Sequence, residues 1–174
     1  MQIGRLIRHV AATHWRTRML FPGTALDAIE QAIGTVELAH QGEIRFAIET
    51  ALSPLHILNG VAPRVRALDV FAQLRVWDTE QNNGVLIYVQ IADRNVEIIA
   101  DRGFEGRVSP LEWEAVCRLM EEHFRAGRFE AGSVAGVLAI GDLLARHFPR
   151  PPAPAAATAA AQSHNQLPDR PILL

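Results

Sequence analysis

The segment Val85-Leu86-Ile87-Tyr88-Val89-Gln90-Ile91 is almost wholly apolar, and a second β-branched run, Val96, Ile98 and Ile99, follows four residues later. Between them Asp93-Arg94-Asn95 supplies turn chemistry, because Asp and Asn tolerate left-handed backbone angles and bond their own backbone. The pattern predicts an antiparallel hairpin over 85–99 whose first strand is covered on both faces. A strand covered on both faces needs a layer on each side, so the rest of the chain has to supply helices for both. The same hairpin gathers polar residues at one end: Asp78, Asn82 and Asn83 precede the first strand, and Asp101 follows the second.

The flanking segments fit that demand. Leu26, Ile29, Ile33 and Val36 form a helical stripe that ends near Gly42. Ile44, Phe46 and Ile48 alternate with Glu43, Arg45 and Ala47, as in a strand. Pro63 opens a helix whose buried face is Val65, Leu68, Phe71 and Leu74. Ser109-Pro110-Leu111-Glu112 is a helix start with a capping box, and a glycine-containing helix runs from Glu130 to His147. The order helix, strand, helix, two strands, helix, helix predicts an α/β fold, an α/β/α sandwich on a small mixed sheet with the 85–99 hairpin at its centre. The expected organisation is a basic amphipathic helix in 1–23, one α/β/α domain in 24–148, and a disordered proline- and alanine-rich tail in 149–174.

Composition removes several function classes. All 17 basic residues are arginine, which excludes a lysine nucleophile, a Schiff base and a phosphate-loop lysine. A net charge of -2 gives no nucleic-acid signature. The single cysteine, Cys117, forms no internal disulfide and no cysteine zinc site, and reads as a structural thiol. No run is long enough to span a membrane, and the first twenty residues lack the continuous apolar core of a signal peptide. The expected location is therefore cytoplasmic, peripheral to a membrane at most. Residues 2–20 carry Arg5, Arg8, Arg16 and Arg18, no acid, and the helically spaced Ile3, Leu6, Ile7 and Val10. Two readings stand: a helix packed on the domain, or attachment to an anionic membrane surface.

Two constellations carry candidate chemistry. Asp78, Asn82, Asn83 and Asp101, approached by Glu43, offer hard oxygens of the kind calcium or magnesium takes. The plain alternative is strand-end and turn chemistry, for which Asn83-Gly84 is a common pair. Glu37-x-x-His40-x-x-Glu43 places a carboxylate and an imidazole on one helix face, either as a metal pair or as a helix-end cap. No glycine-flanked serine elbow and no metalloprotease helix occurs. Arg102 and Arg107 near Asp101 suit either a phosphate or a solvated surface, and Trp77, Trp113 and Phe129 read as core or core-rim aromatics.

The succession Asn82-Asn83-Gly84-Val85-Leu86, Glu97-Ile98 and Gly103, with Gly42-Glu43-Ile44 upstream and Arg125-Ala126-Gly127-Arg128-Phe129-Glu130-Ala131-Gly132 downstream, resembles the TPM domain over about residues 24–148. That family includes a thylakoid acid phosphatase and photosystem-repair factor and many bacterial envelope proteins. The resemblance implies an α/β/α sandwich and divalent-ion binding. Asp101-Arg102-Gly103 departs from the family's glycine-rich turn, adding either a ligand or a built-in counter-ion. Two functions follow as expectations. One is a non-catalytic calcium- or magnesium-binding or interaction domain that serves a membrane-associated process or protein partner. The other is a weak metal-assisted acid phosphatase acting on phosphomonoesters.

Overall fold

The structure, a computed structural model, describes residues 2–150 and 165–174. Its sheet holds four strands, β1 (Glu43–Glu49), β2 (Gly84–Gln90), β3 (Asn95–Ala100) and β4 (Ile172–Leu173), in the order β3-β2-β1-β4. β1 and β2 run parallel with Ile44 opposite Val85, and β2 and β3 run antiparallel with Ile87 opposite Ile98. Every residue of β2 is buried, as its apolar run requires, and so is every residue of β1, although β1 interleaves charged with apolar residues.

The two faces of the sheet carry different cores. Phe46, Ile48, Ile87 and Val89 pack with Ile29 and Ile33 of α3 (Gly23–Glu37), Met120 of α6 (Pro110–Arg125) and Ile140 of α7 (Phe129–His147). Ala47, Leu86, Tyr88 and Ile99 pack on the other side with Ala67 and Val70 of α5 (Pro63–Gln73). The molecule is the expected α/β/α arrangement, with a mixed open sheet and seven α-helices among the described residues. Gly136 makes the α6–α7 contact: a Cβ there would collide with the Met120 side chain. The Ser109–Glu112 capping box opens α6, with the Ser109 amide donating to Glu112 Oε2 at 2.9 Å.

Three expectations need correction. The hairpin is not central: β3 is an edge strand, and the middle of the sheet is the β2–β1 pair. The burial pattern gives the reason, since β1 is covered on both faces and takes the interior place, whereas β3 alternates between buried and half-buried positions. Residues 2–20 are not one helix but α1 (Gln2–Ala11) and α2 (His14–Leu20), because the Thr13 hydroxyl accepts from the Arg16 amide and starts a new helix.

The third correction concerns the tail. Residues 151–164 lie outside the described residues, but 165–174 are docked instead of disordered. β4 pairs with β1, and the Leu174 amide donates to the Ile48 carbonyl at 2.8 Å. Leu167 is buried in the second core. Glu43 Oε2 accepts from the amides of Gln166 at 3.1 Å and Leu167 at 3.2 Å, and the Arg45 guanidinium donates to the carbonyls of Pro168 and Arg170. Two polar side chains of a fully buried strand thus find their partners in the tail's backbone, a need that composition does not reveal.

Candidate functional site

At the amino ends of β1 and β2, chain continuity fixes the strand-end residues. Register places Gly84 opposite Glu43, and the Asp101 amide donates to the Gly84 carbonyl at 2.9 Å. Asn83 and Asp101 therefore leave neighbouring strands at the same end of the sheet. Asn83 is buried: its amide accepts no change of partner lightly, since its backbone N–H donates to Thr79 Oγ1 at 3.0 Å and its side-chain N–H to the Gln41 carbonyl at 2.5 Å. Its Oδ1 is buried without a hydrogen-bond donor. Asp101 caps the turn after β3 through Oδ1, which accepts from the Arg102 amide at 2.7 Å, while its Oδ2 is also buried without a donor. Gly103 is required here because a Cβ would strike the Asn82 carbonyl.

The other expected ligands stand differently. Asn82 adopts a left-handed conformation with φ 53°, and its Oδ1 accepts from Arg102 Nε at 2.9 Å. Asp78 is exposed, one residue beyond the half-exposed Trp77. Glu43 faces away toward the tail, engaged by the Gln166 and Leu167 amides; burial raises its pKa above the usual carboxylate range. Among the described residues no group of three or more His, Cys, Asp and Glu side chains is arranged to hold a metal. The oxygens left open at this end are Asn83 Oδ1 and Asp101 Oδ2.

A cleft of about 760 Å³ adjoins Asp101, lined among others by Arg64, Arg102, Phe104 and Trp113. Arg107, expected beside Asp101, instead lies over the Phe148 ring at 4.5 Å from its centroid. Trp113 packs edge-on against Phe104, and Phe129 stacks on Phe124, so both serve the core rim.

Glu37 and His40 do not share a helix face, because α3 ends at Glu37. Glu37 turns inward and Oε1 accepts from the Ile44 amide at 2.8 Å. Burial pushes its pKa up to about 8, opposed by that hydrogen bond and supported by the nearby charge of Glu43. His40 is fully buried, and burial holds its pKa down to about 4. Burial likewise pushes the Cys117 thiol up to about 12, which makes it an inert thiol.

The sequence reading did not find the polar network at the opposite sheet end. Glu49 of β1 takes a two-pronged contact from Arg66, at 2.9 Å to Oε1 and 3.0 Å to Oε2, and accepts from the Tyr88 hydroxyl. Burial first, then this bond to Glu49, raises the Tyr88 pKa. Gln90 pairs with Asn95 across the hairpin; both atoms of the Gln90 amide and Oδ1 of Asn95 are buried without partners. A signal was present: Glu49, Tyr88 and Gln90 are polar residues inside runs otherwise fit only for burial.

Comparison with known proteins supplies the remaining evidence. The family profile of the TPM domain matches residues 18–143. The fold is similar to the NMR structure of the BA42 protein from the psychrophilic bacterium Bizionia argentinensis, at 29% identity and a TM-score of 0.72, covering 87% of this chain and 93% of that one. It is also similar to the solution NMR structure of the N-terminal domain of a protein from P. gingivalis, at 23% identity and a TM-score of 0.56, covering 76% of this chain and 83% of that one; this second likeness bears on the fold alone. No curated protein matches the chain. With the profile spanning most of the sheet and both helical layers, the chain belongs to the TPM domain family.

Proposed function

We propose that this TPM domain works by binding instead of turnover, holding a divalent cation of the calcium or magnesium class where β2 begins and β3 ends. One observation carries the reading: Asn83 Oδ1 and Asp101 Oδ2 are both buried, both lack a donor, and both belong to this sheet end. Buried oxygens without donors are costly, and a cation with its water shell satisfies them. Asp78 offers a third oxygen from the exposed side. Oxygen donors favour calcium or magnesium over zinc. Glu43 and Asn82 drop out of the ligand set, since the tail amides and Arg102 already occupy them.

The test is calcium and magnesium titration of the full chain by calorimetry and by melting. Binding stabilises the folded state by about 2.7 kcal/mol at a hundred times the dissociation constant. Calcium should raise the melting temperature, and Asp101→Asn should remove most of the rise. Asn retains a capping oxygen, so the variant keeps the turn after β3. No heat and an unmoved melting curve at millimolar calcium and magnesium would reject the cation, leaving an interaction module.

A further inference from the structure

α1 is mounted the wrong way round for a surface helix. Its polar side faces the body: Arg5 donates to Asp93 Oδ2 at 2.9 Å and to the Val61 carbonyl at 2.9 Å. His9, 4% exposed, lies 3.0 Å from Asp93 and its Nδ1 accepts from the Leu52 amide at 2.9 Å. Burial works to raise the Asp93 pKa, but Arg5 and His9 outweigh it and hold the carboxylate below its usual range. The apolar stripe is consequently turned to solvent, with Ile3 76%, Ile7 62% and Val10 69% exposed. At spacings of four and three residues these side chains share one helix face.

The helices next to α1 also expose large apolar side chains. On α2, Trp15 and Met19 are 71% and 60% exposed and stand one turn apart, flanked by the exposed Arg16 and Arg18. α4 (Pro54–Leu58) contacts α1 and adds Leu55 and Leu58, 70% and 60% exposed. Large apolar side chains exposed together on helices adjoining in chain or in space point to a docking site. None of these apolar side chains lines the cleft beside Asp101 or a second cleft of about 360 Å³, whose rim includes Arg16 as well as Arg8, Arg94 and Arg125.

We infer that this surface docks onto an anionic membrane, with the aliphatic and indole side chains entering the headgroup–acyl boundary and Arg16 and Arg18 against lipid phosphates, while Arg8 stays 3.5 Å from Asp93 Oδ1. Charge selects the occupant. The first acid in the chain is Asp27, so the two N-terminal helices carry arginines and no carboxylate of their own. Arg16 and Arg18 have no acidic partner among the described residues. Pairing two copies through this face would bring their arginines together with no acid in the patch to offset them. A helical face whose apolar side chains line neither cleft suits a deformable lipid surface better than an inserted side chain, and apolar residues with flanking arginines are the composition of interfacial helices. The inference shares no residue with the strand-end oxygens, so either proposal stands if the other fails.

The experiment is co-sedimentation of the full chain with phosphatidylcholine vesicles, with and without about a third phosphatidylglycerol, free of divalent cations. Each arginine near an anionic surface is worth about 1 kcal/mol, so Arg16 and Arg18 should favour the anionic vesicles roughly thirtyfold. Arg16→Gln/Arg18→Gln should bring that preference close to unity. Ile7→Ser/Trp15→Ser should lose binding to both vesicles, while Leu111→Ser, equally exposed on α6, should leave it unchanged. All these side chains face solvent, so melting temperatures should stay at the wild-type value; quenching by brominated lipid, lost in Trp15→Phe, gives a second readout on an unperturbed fold. Equal binding to neutral and anionic vesicles, no binding to either, or a self-associated dimer broken by Ile7→Ser/Trp15→Ser would each overturn the inference.

Discussion

Glu37 keeps a proton at neutral pH that most glutamates have lost, because burial pushes its pKa up to about 8. A carboxyl whose folded pKa is raised binds its proton more tightly in the native state. Its contribution is full below the unfolded value of 4.5 and is lost as pH rises through about 8. Glu43, also raised, acts with the same sign. His40 has the opposite sign: its folded pKa of about 4 favours the native state above the unfolded 6.5 and disfavours it as pH falls. From pH 4.5 to 6.5 Glu37 and His40 largely offset each other; from 6.5 to 8 Glu37 acts against stability unopposed. Urea unfolding should show stability falling by about 2 kcal/mol over that upper window. Glu37→Gln, which can still accept from Ile44, should flatten the decline. A wild-type curve level from 6.5 to 8, or a variant falling just as steeply, would show that Glu37 is not protonated. The sequence singled out Glu37 and His40 but assigned them a shared helix face, because spacing does not show where a helix stops.

At the scale of elements, the tail segment closes the sheet at β1. Removing everything after Arg150 deletes β4, empties the place of Leu167, and strips Glu43 and Arg45 of their backbone partners. Leaving a buried polar group unsatisfied costs about 1–3 kcal/mol, and more when it is charged. For a chain of this size the truncated protein should melt roughly 10 °C lower. An unchanged midpoint would mean that residues 165–174 do not hold the fold together. The opposite expectation, a disordered tail over 149–174, came from the proline and alanine that dominate 149–161. The capping box at Ser109 was legible for the converse reason: its four residues satisfy one another locally, without help from the rest of the chain.

Across the whole molecule, protection should follow burial. β1 and β2 are covered on both faces, whereas α1 is held mainly by Arg5 and His9 on Asp93 and leaves its apolar stripe outside. Native-state hydrogen exchange should find the slowest amides in β1 and β2, and α1 opening at a lower free energy without the sheet. Amides of α1 as slow as those of β2 would place both in one cooperative unit.

Apolar periodicity by itself determined the element types, the 85–99 hairpin and the need for helices on both sheet faces, because these depend on residues three, four or two positions apart. The gathering of Asn83 and Asp101 at one sheet end also followed from the hairpin, since two connected strands end together. Which way each side chain then turned was decided only by the tertiary structure. Glu43 went to the tail amides and Asn82 to Arg102, through partners up to 124 residues distant. The place of β3 at the edge, the docking of β4 and the outward apolar face of α1 were decided in the same way. Each depends on competition among distant segments for the same buried surface and the same hydrogen bonds, and no local pattern records which segment wins.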